Sequence, residues 1–263
     1  MKIGVFAYNW SHYKTQQGIF HLSAAGYPPE VMYIQSIKEL PHCSSNERVS
    51  PRDYDTLWHP FFLPVDSHPA DHDHESTLSS IKKRDLDLGI VLGARILKQE
   101  TIDCFNVGVL NMHPGIIPIN RGLDTLKWAV MDNIKQGVTT HLIDGRVDMG
   151  KIIATEIIPV YEDDYIVDVG HRLFTLQMRM MLDALDFLIA GNKPTPVTEK
   201  GRHHSVMDIE TESLLLPRFE YYKRHYDKMG GAEYEKKYIP PERNIGEIED
   251  LEYEELYLLP SDG

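Results

Sequence analysis

An asparagine and a histidine stand two residues apart in this chain, directly after a short apolar segment that is typical of a buried strand. Asn111 and His113 belong to the sequence Asn-Met-His-Pro-Gly, and residues two apart on an extended segment project to the same side. Pro114 cannot continue inside a sheet, so the chain must leave the strand there. An amide donor and an imidazole presented together can stabilise developing negative charge and move a proton. Taken alone, the pattern is more often a surface turn.

A single aspartate, Asp148, provides another group able to do chemistry. It stands in Gly-Arg-Val-Asp-Met-Gly at residues 145–150, in the tight connection between two predicted strands. A carboxylate beside an imidazole can stabilise its charged form and can accept a proton. Because an aspartate flanked by glycines is usually a turn former, its position alone does not distinguish a catalytic carboxylate from a turn residue.

Histidines and aspartates alternate in the polar segment at residues 59–74. Such spacing can hold a metal ion, but in a polar loop it more commonly marks a solvated surface, and His203-His204 receives the same interpretation. The two cysteines, Cys43 and Cys104, lack metal-ligand spacing, so we expect reduced thiols and no metal. The members of the segment are His59, Asp66, His68, Asp71, His72, Asp73 and His74.

Apolar runs and helical patterns alternate along most of the chain. This alternation predicts βαβ units and therefore the Rossmann-like α/β class, with a mostly parallel open sheet flanked by helices. Ligands bind at the carboxyl ends of the strands in such sheets, which is where Asn111 and His113 fall. Strands are predicted at residues 2–8, 31–35, 87–94, 108–111, 138–143 and 152–160, and helices at residues 15–25, 76–83, 99–104, 123–134, 164–190 and 218–229.

Two features of the chain's second half define its organisation. The connection between the last two predicted strands is too short for a parallel crossover, so we expect those strands to be antiparallel neighbours. Beyond residue 201 the sequence becomes dense in Tyr and Glu. We therefore predict a catalytic domain at residues 1–205 and a small C-terminal appendage, a helix plus an acidic tail, at residues 206–263.

The overall charge restricts the kinds of partner. The formal net charge is -13 and the sequence pI is near 5.4, which argues against binding nucleic acid through its phosphate backbone. No run approaches the roughly 18 apolar residues of a membrane span, and the apolar run at the N-terminus is too short for a signal sequence. We expect a cytoplasmic protein that contacts neither nucleic acid nor membrane.

The order of these features resembles the folate-dependent formyltransferase family. Asn-Met-His-Pro-Gly is followed by Ile-Pro at residues 117–118, Arg-Gly at 121–122, a helix, Gly-Val-Thr-Thr-His at 137–141 and Asp-Met-Gly at 148–150. The family includes glycinamide ribonucleotide, methionyl-tRNA and nucleotide-sugar N-formyltransferases. The resemblance is best over residues 87–160 and weaker over residues 1–36 and after residue 161.

By this resemblance Asn111, His113 and Asp148 match the family's catalytic positions, and the co-substrate is N10-formyltetrahydrofolate. Negative charge would develop on the formyl oxygen, where Asn111 and His113 act as donors. Asp148 would hold His113 and take the proton that the attacking amine loses. The segments implied to line and close the pterin pocket contain Arg95, Ile96, Leu97, His141, Leu142, Ile143, Asp144 and Gly145.

The amine acceptor is predicted from position and from differences between subgroups. Trp10, Tyr13 and Lys14 follow the first strand, where an amine-bearing substrate would bind, although packing is an equal alternative for Trp10. Aromatic residues replace the Gly/Ser-rich phosphate loop of the glycinamide ribonucleotide enzymes, and the acidic C-terminal part differs from the basic domain of methionyl-tRNA enzymes. Arg121 lies in Pro-Ile-Asn-Arg-Gly, which looks more like the nucleotide-sugar enzymes. We therefore expect the amino group of a nucleotide-linked deoxyaminosugar as acceptor.

Several alternatives stay open. The acceptor could be another small-molecule amine or methionyl-tRNA, and the donor could be a different one-carbon or acyl carrier. A non-catalytic folate- or nucleotide-binding sensor is an alternative of another class, although a pure binder has no use for all of Asn111, His113 and Asp148. The apolar run Leu-Leu-Leu at residues 214–216 fits either a homodimer contact or packing against the main domain.

Overall fold

One sheet of eight strands forms the centre of the described chain, which in this computed structural model comprises residues 1–8, 12–35 and 66–241. Its strands are β1 (Ile3–Tyr8), β2 (Val31–Gln35), β3 (Asp66–Pro69), β4 (Leu88–Val91), β5 (Gly108–His113), β7 (Gly137–Leu142), β8 (Lys151–Ile157) and β9 (Thr195–Pro196). Two further short strands, β6 (Arg121–Gly122) and β10 (His203–His204), pair with each other.

The sheet has the order β3-β2-β1-β4-β5-β7-β8-β9. The pairs from β3 to β5 are parallel, whereas β7, β8 and β9 add antiparallel strands. The predicted antiparallel pairing of β7 with β8 is confirmed, because their connection at residues 143–150 is too short to carry the chain back for a parallel pair. The mostly parallel open sheet confirms the predicted fold class.

Helices connect the strands and cover both faces of the sheet. The long helix α5 begins where the Asp168 side chain accepts the backbone N–H of Tyr165 at 2.7 Å, a local cap for its first turn. The described helices are α1 (Tyr13–Ala24), α2 (Glu75–Arg84), α3 (Gln99–Ile102), α4 (Thr125–Asp132), α5 (Ile166–Ile189), α6 (Ile209–Ser213) and α7 (Leu215–Arg224), with 3-10 turns at Tyr226–Lys228 and Ala232–Tyr234. No helix in the described ranges is long and apolar enough to cross a membrane.

Side chains of β1 alternate between two apolar clusters, one on each face of the sheet. Val5 and Ala7 belong to the larger cluster with α1 and α5, and Phe6 belongs to the smaller one with Phe105. This alternation is the period of two of an extended strand. Full burial of such side chains stabilises the fold by roughly 1.5–3 kcal/mol each, so the sheet is a rigid platform for residues at its carboxyl edge.

Part of the C-terminal region packs into the same larger cluster. Phe219, Tyr222 and Tyr226 are buried there. The Tyr226 hydroxyl donates to the Ile158 carbonyl at 2.9 Å and accepts the Gln136 N–H at 2.9 Å. The domain boundary between residues 205 and 206 stays a prediction. Residues 242–263, which belong to the predicted acidic tail, lie outside the described ranges.

Candidate active site

The carboxyl end of β5 brings together the polar side chains on which the sequence analysis centred. Asn111 and His113 lie on β5, opposite His141 and Thr139 of the antiparallel strand β7. The chain leaves the sheet after His113, as Pro114 predicts. Asp148 lies in the connection between β7 and β8 and approaches both histidines.

His113 is held by one of its ring nitrogens. Its Nε2 lies 2.8 Å from the backbone oxygen of Asn120, so Nε2 carries a proton and donates it to that carbonyl. The other nitrogen, Nδ1, lies 3.6 Å from Oδ1 of Asp148, which is an ion-pair distance beyond hydrogen-bond length. Nδ1 is therefore the nitrogen left for a reacting group.

Asp148 adopts the left-handed backbone conformation, with a φ of 49°. Aspartate tolerates this region better than most residues. Its Oδ2 accepts the backbone N–H of Gly122 at 2.9 Å, and Arg121 donates through Nη1 to the carbonyl of Val147 at 3.0 Å. These contacts leave Oδ1 of Asp148 facing the two histidines.

His141 lies beneath the site with no exposed surface. Its Nε2 is 3.4 Å from Nδ2 of Asn111 and 3.8 Å from Oδ1 of Asp148. Burial lowers the pKa of His141 to about 4, although the carboxylate of Asp148 acts in the opposite direction. The neutral ring can accept a hydrogen bond from the Asn111 amide, which leaves the second amide hydrogen of Asn111 for a substrate oxygen. The resemblance assigned His141 only to the pterin loop, and its contact with Asn111 was missed.

The two segments predicted to contact the carrier lie side by side. The Gln99 side chain accepts the backbone N–H of Gly145 at 2.7 Å, which ties the second segment to α3, the helix that follows the first segment. Leu97 and Ile143 share the smaller apolar cluster, whereas Ile96 exposes 69% of its surface. The remaining members are the exposed Arg95, the buried His141 and Leu142, and the half-buried Asp144.

Two backbone N–H groups in the first segment are available to a ligand. The N–H groups of Ile96 and Leu97 donate to no other described residue. A bound heterocycle with ring nitrogens and a carbonyl can satisfy such donors, and the exposed Ile96 side chain offers apolar area for its ring. These residues fit the carrier that the resemblance implies.

The residues predicted to face the acceptor have different surroundings. Tyr13 exposes 56% of its surface, and its ring lies 4.6 Å from that of Phe174. Lys14 donates through Nζ to the Met112 carbonyl at 3.3 Å, so its ammonium group lies at the carboxyl end of β5. Burial lowers the pKa of Lys14 to about 8. Arg121 is buried, with 7% of its surface exposed, and Trp10 lies outside the described residues.

The described histidines of the His/Asp segment have structural partners. His74 caps α2, because its Nδ1 accepts the backbone N–H of Ser76 at 3.1 Å. His72 is buried, and its Nε2 lies 3.1 Å and 3.0 Å from the carbonyls of Ala7 and Tyr33. Within residues 1–8, 12–35 and 66–241, no group of three or more His, Cys, Asp or Glu side chains is placed to hold a metal ion. His59 lies outside these ranges.

Comparison with known proteins relates this chain to formyltransferases. The model of the formyl transferase family matches residues 58–185. A curated methionyl-tRNA formyltransferase from Flavobacterium psychrophilum is 30% identical over 148 residues, which are 56% of this chain and 45% of the relative. The chain therefore spans about half the length of the curated relatives it matches.

Solved structures of formyltransferases share the fold. A sugar N-formyltransferase from Shewanella sp FDAARGOS_354 superposes with a TM-score of 0.58 at 18% identity, covering 92% of this chain and 98% of that one. The formyltransferase PseJ from Anoxybacillus kamchatkensis, solved with UDP-4,6-dideoxy-4-formamido-L-AltNAc and tetrahydrofolate, gives a TM-score of 0.50 at 17% identity over 81% of this chain and 91% of that one. At these identities the likeness establishes the fold alone.

Proposed function

From the membership of this chain in the formyl transferase family, we infer that it is an enzyme that moves a formyl group from N10-formyltetrahydrofolate to a primary amine. The observation that carries the inference is the convergence of Asn111, His113 and Asp148 at the carboxyl end of β5. Open α/β sheets bind their ligands at this edge.

The reaction exchanges one carbon–nitrogen bond for another. The neutral amine of the acceptor attacks the formyl carbon, a tetrahedral intermediate forms, and the bond from that carbon to N10 of the carrier breaks. The attacking nitrogen loses one proton and N10 gains one, so the reaction is balanced without a further reactant. Asp148 is placed to relay this proton, directly or through a water molecule.

Negative charge on the formyl oxygen of that intermediate needs donors. The free amide hydrogen of Asn111 and a proton on Nδ1 of His113 supply them, because the other positions of both groups are engaged by His141 and Asn120. The Asp148 carboxylate, 3.6 Å from Nδ1, stabilises the charge of a protonated ring. Loss of one preorganised donor typically costs about 100- to 1000-fold in rate.

For the acceptor we propose the amino group of a nucleotide-linked deoxyaminosugar. The likeness to the Shewanella sugar N-formyltransferase extends over 92% of this chain. Tyr13 with Phe174 offers an exposed aromatic surface for a base, and Lys14 offers a cation for an anionic part of the nucleotide. Trp10 and Arg121 stay predictions as further acceptor contacts.

Methionyl-tRNA is the second candidate, because the curated relatives carry that name. One observation favours the sugar: the net charge of -13 repels a phosphate backbone.

A panel of amines tests the proposal. The full chain is mixed with N10-formyltetrahydrofolate and, in turn, nucleotide-linked aminosugars, glycinamide ribonucleotide, other small amines and methionyl-tRNA, and released tetrahydrofolate is followed by absorbance. We expect turnover with a nucleotide-linked aminosugar. Turnover with methionyl-tRNA alone would overturn the proposed acceptor but support the proposed formyl transfer. Binding of the carrier without turnover of any amine would indicate a sensor.

A further inference from the structure

We propose that Gly122 is a positioning residue for Asp148, and that the strand pair β6–β10 exists at this place to hold it. The proposal rests on the proposed function, since Asp148 is assigned its role there. It adds that the C-terminal strand β10, which lies 55 residues or more along the chain from Asp148, sets the orientation in which the carboxylate faces the reacting groups.

The hydrogen bond from Gly122 gives the two oxygens of Asp148 different partners. Oδ2 accepts the Gly122 N–H at 2.9 Å. Oδ1 lies 3.6 Å from Nδ1 of His113 and 3.8 Å from Nε2 of His141. The carboxylate cannot rotate about its last bond without breaking the hydrogen bond from Gly122, so this bond fixes the direction of Oδ1.

The pairing of β6 with β10 makes the Gly122 N–H available. The N–H groups on either side, those of Arg121 and Leu123, donate to the carbonyls of Arg202 and His204, each at 3.1 Å. With both neighbouring N–H groups bonded to β10, the N–H of Gly122 points towards Asp148, whose Oδ2 accepts it.

Only glycine fits at position 122. Its φ is +93°, and a Cβ atom there would lie 2.1 Å from the backbone oxygen of His204. The same close approach recurs at the start of the paired segment, because Gly201 has a φ of +47° and a Cβ there would lie 1.9 Å from the Pro118 oxygen. The close approach at both ends, together with the pairing of the two strands, fixes the distance between the backbones, so β10 defines the place of β6.

Strand β10 is in turn fixed to helix α4. The ring of His204 stacks on Trp128 with centroids 4.7 Å apart, and its Nε2 lies 3.3 Å from Oδ2 of Asp132. The Trp128 indole donates to the Ser205 carbonyl at 2.9 Å. The path of contacts runs from α4 through β10 and Gly122 to Asp148, and a disturbance along it reaches the carboxylate.

The substitution Gly122→Ala tests this role against a matched control, Gly191→Ala. Gly191 also has a positive φ, +74°, but a Cβ there meets nothing within 4 Å, so both variants carry the backbone penalty and only one displaces β6. With the acceptor identified in the panel, we expect Gly122→Ala to lower kcat about 10- to 100-fold with the KM of the carrier nearly unchanged. Gly191→Ala retains the wild-type kcat. Equal kcat values for the two variants would overturn the proposal.

A double-mutant cycle distinguishes positioning from a general structural effect. In an Asp148→Asn background, Gly122→Ala should leave the residual kcat unchanged, because the group it positions is already lost. A loss that multiplies with that of Asp148→Asn would mean that Gly122 acts independently of Asp148, and would contradict the proposal.

A readout without turnover covers the cases in which Gly122→Ala does not fold or the chain formylates no amine. In the full chain, the Gly122 amide proton resonance should move upfield on Asp148→Asn, since an amide is a weaker acceptor than a carboxylate. Asp163→Asn, a change at an exposed aspartate, should not move it. An unmoved Gly122 resonance in Asp148→Asn would overturn the positioning contact, whereas absence of turnover with the expected shift would overturn only the proposed function.

Discussion

The two sides of the sheet's carboxyl edge differ in how firmly their side chains are held. On the side of β5 and β7, His113 and His141 expose 3% and 0% of their surface, and Asp148 is fixed through one oxygen. On the side of β1 and α1, Tyr13 exposes 56% of its surface. Donors for a developing charge act best when they are preorganised. Residues on an exposed surface, in contrast, can be substituted with little effect on the stability of the fold.

From this difference in exposure we expect the chemical step to depend on the side of β5 and β7, and recognition of the acceptor to depend on the side of β1 and α1. Changes on the buried side should alter the rate of the chemical step, because they disturb the groups that we propose to act on the reacting atoms. Changes on the exposed side should alter the affinity for the acceptor. The same division is compatible with the different acceptors in the names of similar proteins, which include a sugar N-formyltransferase and methionyl-tRNA formyltransferases.

The largest effect is expected at the pair of His113 and Asp148. His113→Ala and Asp148→Asn should each lower kcat by about 1000-fold or more, because they remove an oxyanion donor and its charged partner. Circular dichroism and thermal unfolding should show a folded protein in both cases. Asp163→Asn serves as the control at an exposed position and should keep the wild-type rate. Near-wild-type turnover of either variant would remove the mechanism.

The next effect concerns stability and tests the buried state of His141. Burial lowers its pKa to about 4 from an ordinary 6.5, so the unfolded chain takes up this proton at a higher pH than the folded chain. The stabilising contribution is complete above about pH 6.5 and is lost as the pH falls towards 4. Within that window the free energy of unfolding of the wild type should fall by about 1.4 kcal/mol per pH unit more than that of His141→Gln.

Urea unfolding between pH 7 and pH 4.5 measures this difference. Contributions from other groups are common to both proteins and cancel in the comparison. His171→Gln, at an exposed histidine, should follow the wild type throughout. Parallel pH dependences of wild type and His141→Gln would show that His141 is not a buried neutral acceptor.

A smaller effect is expected on the side of β1 and α1, at Lys14. Burial lowers its pKa to about 8, so the ammonium group is charged below that pH and loses its charge above it. If Lys14 binds an anionic part of the acceptor, the acceptor KM should rise as the pH passes 8, with kcat nearly constant. Lys14→Arg should abolish the rise, and Lys14→Met should increase KM roughly tenfold at pH 7, equivalent to about 1.4 kcal/mol.

The exposed Lys83 provides the matched control, and Lys83→Met should leave KM and its pH dependence unchanged. A fall in kcat on Lys14→Met with an unchanged KM would contradict the division between the two sides. Such a result would mean that Lys14 contributes to the chemical step and not to binding of the acceptor.

Local patterns predicted the elements that carry the site. The apolar run before Asn111 and the proline after His113 define where β5 ends, and both follow from rules that act over a few residues. The short connection that contains Asp148 required an antiparallel pair. These features are local in sequence, so one chain suffices to predict them.

Contacts between distant segments were not predictable in this way. The strands β6 and β10 have two residues each, too few for a periodic pattern, and their partners lie about 80 residues apart along the chain. The hydrogen bond from Gly122 to Asp148 depends on that pairing. The acceptance of the Asn111 amide by His141 likewise depends on the register of β5 with β7, which the sequence does not encode locally.

We propose that the formyl group passes directly from the carrier to an amine while Asp148 relays the proton. The most direct measurement follows a carrier labelled with carbon-13 in its formyl group by NMR, with the acceptor identified in the panel. We expect that the wild type forms the labelled formamide of the acceptor and tetrahydrofolate in equal amounts, and that Asp148→Asn slows the formation of both by about 1000-fold. Release of labelled formate without formamide, or an unchanged rate in Asp148→Asn, would contradict it.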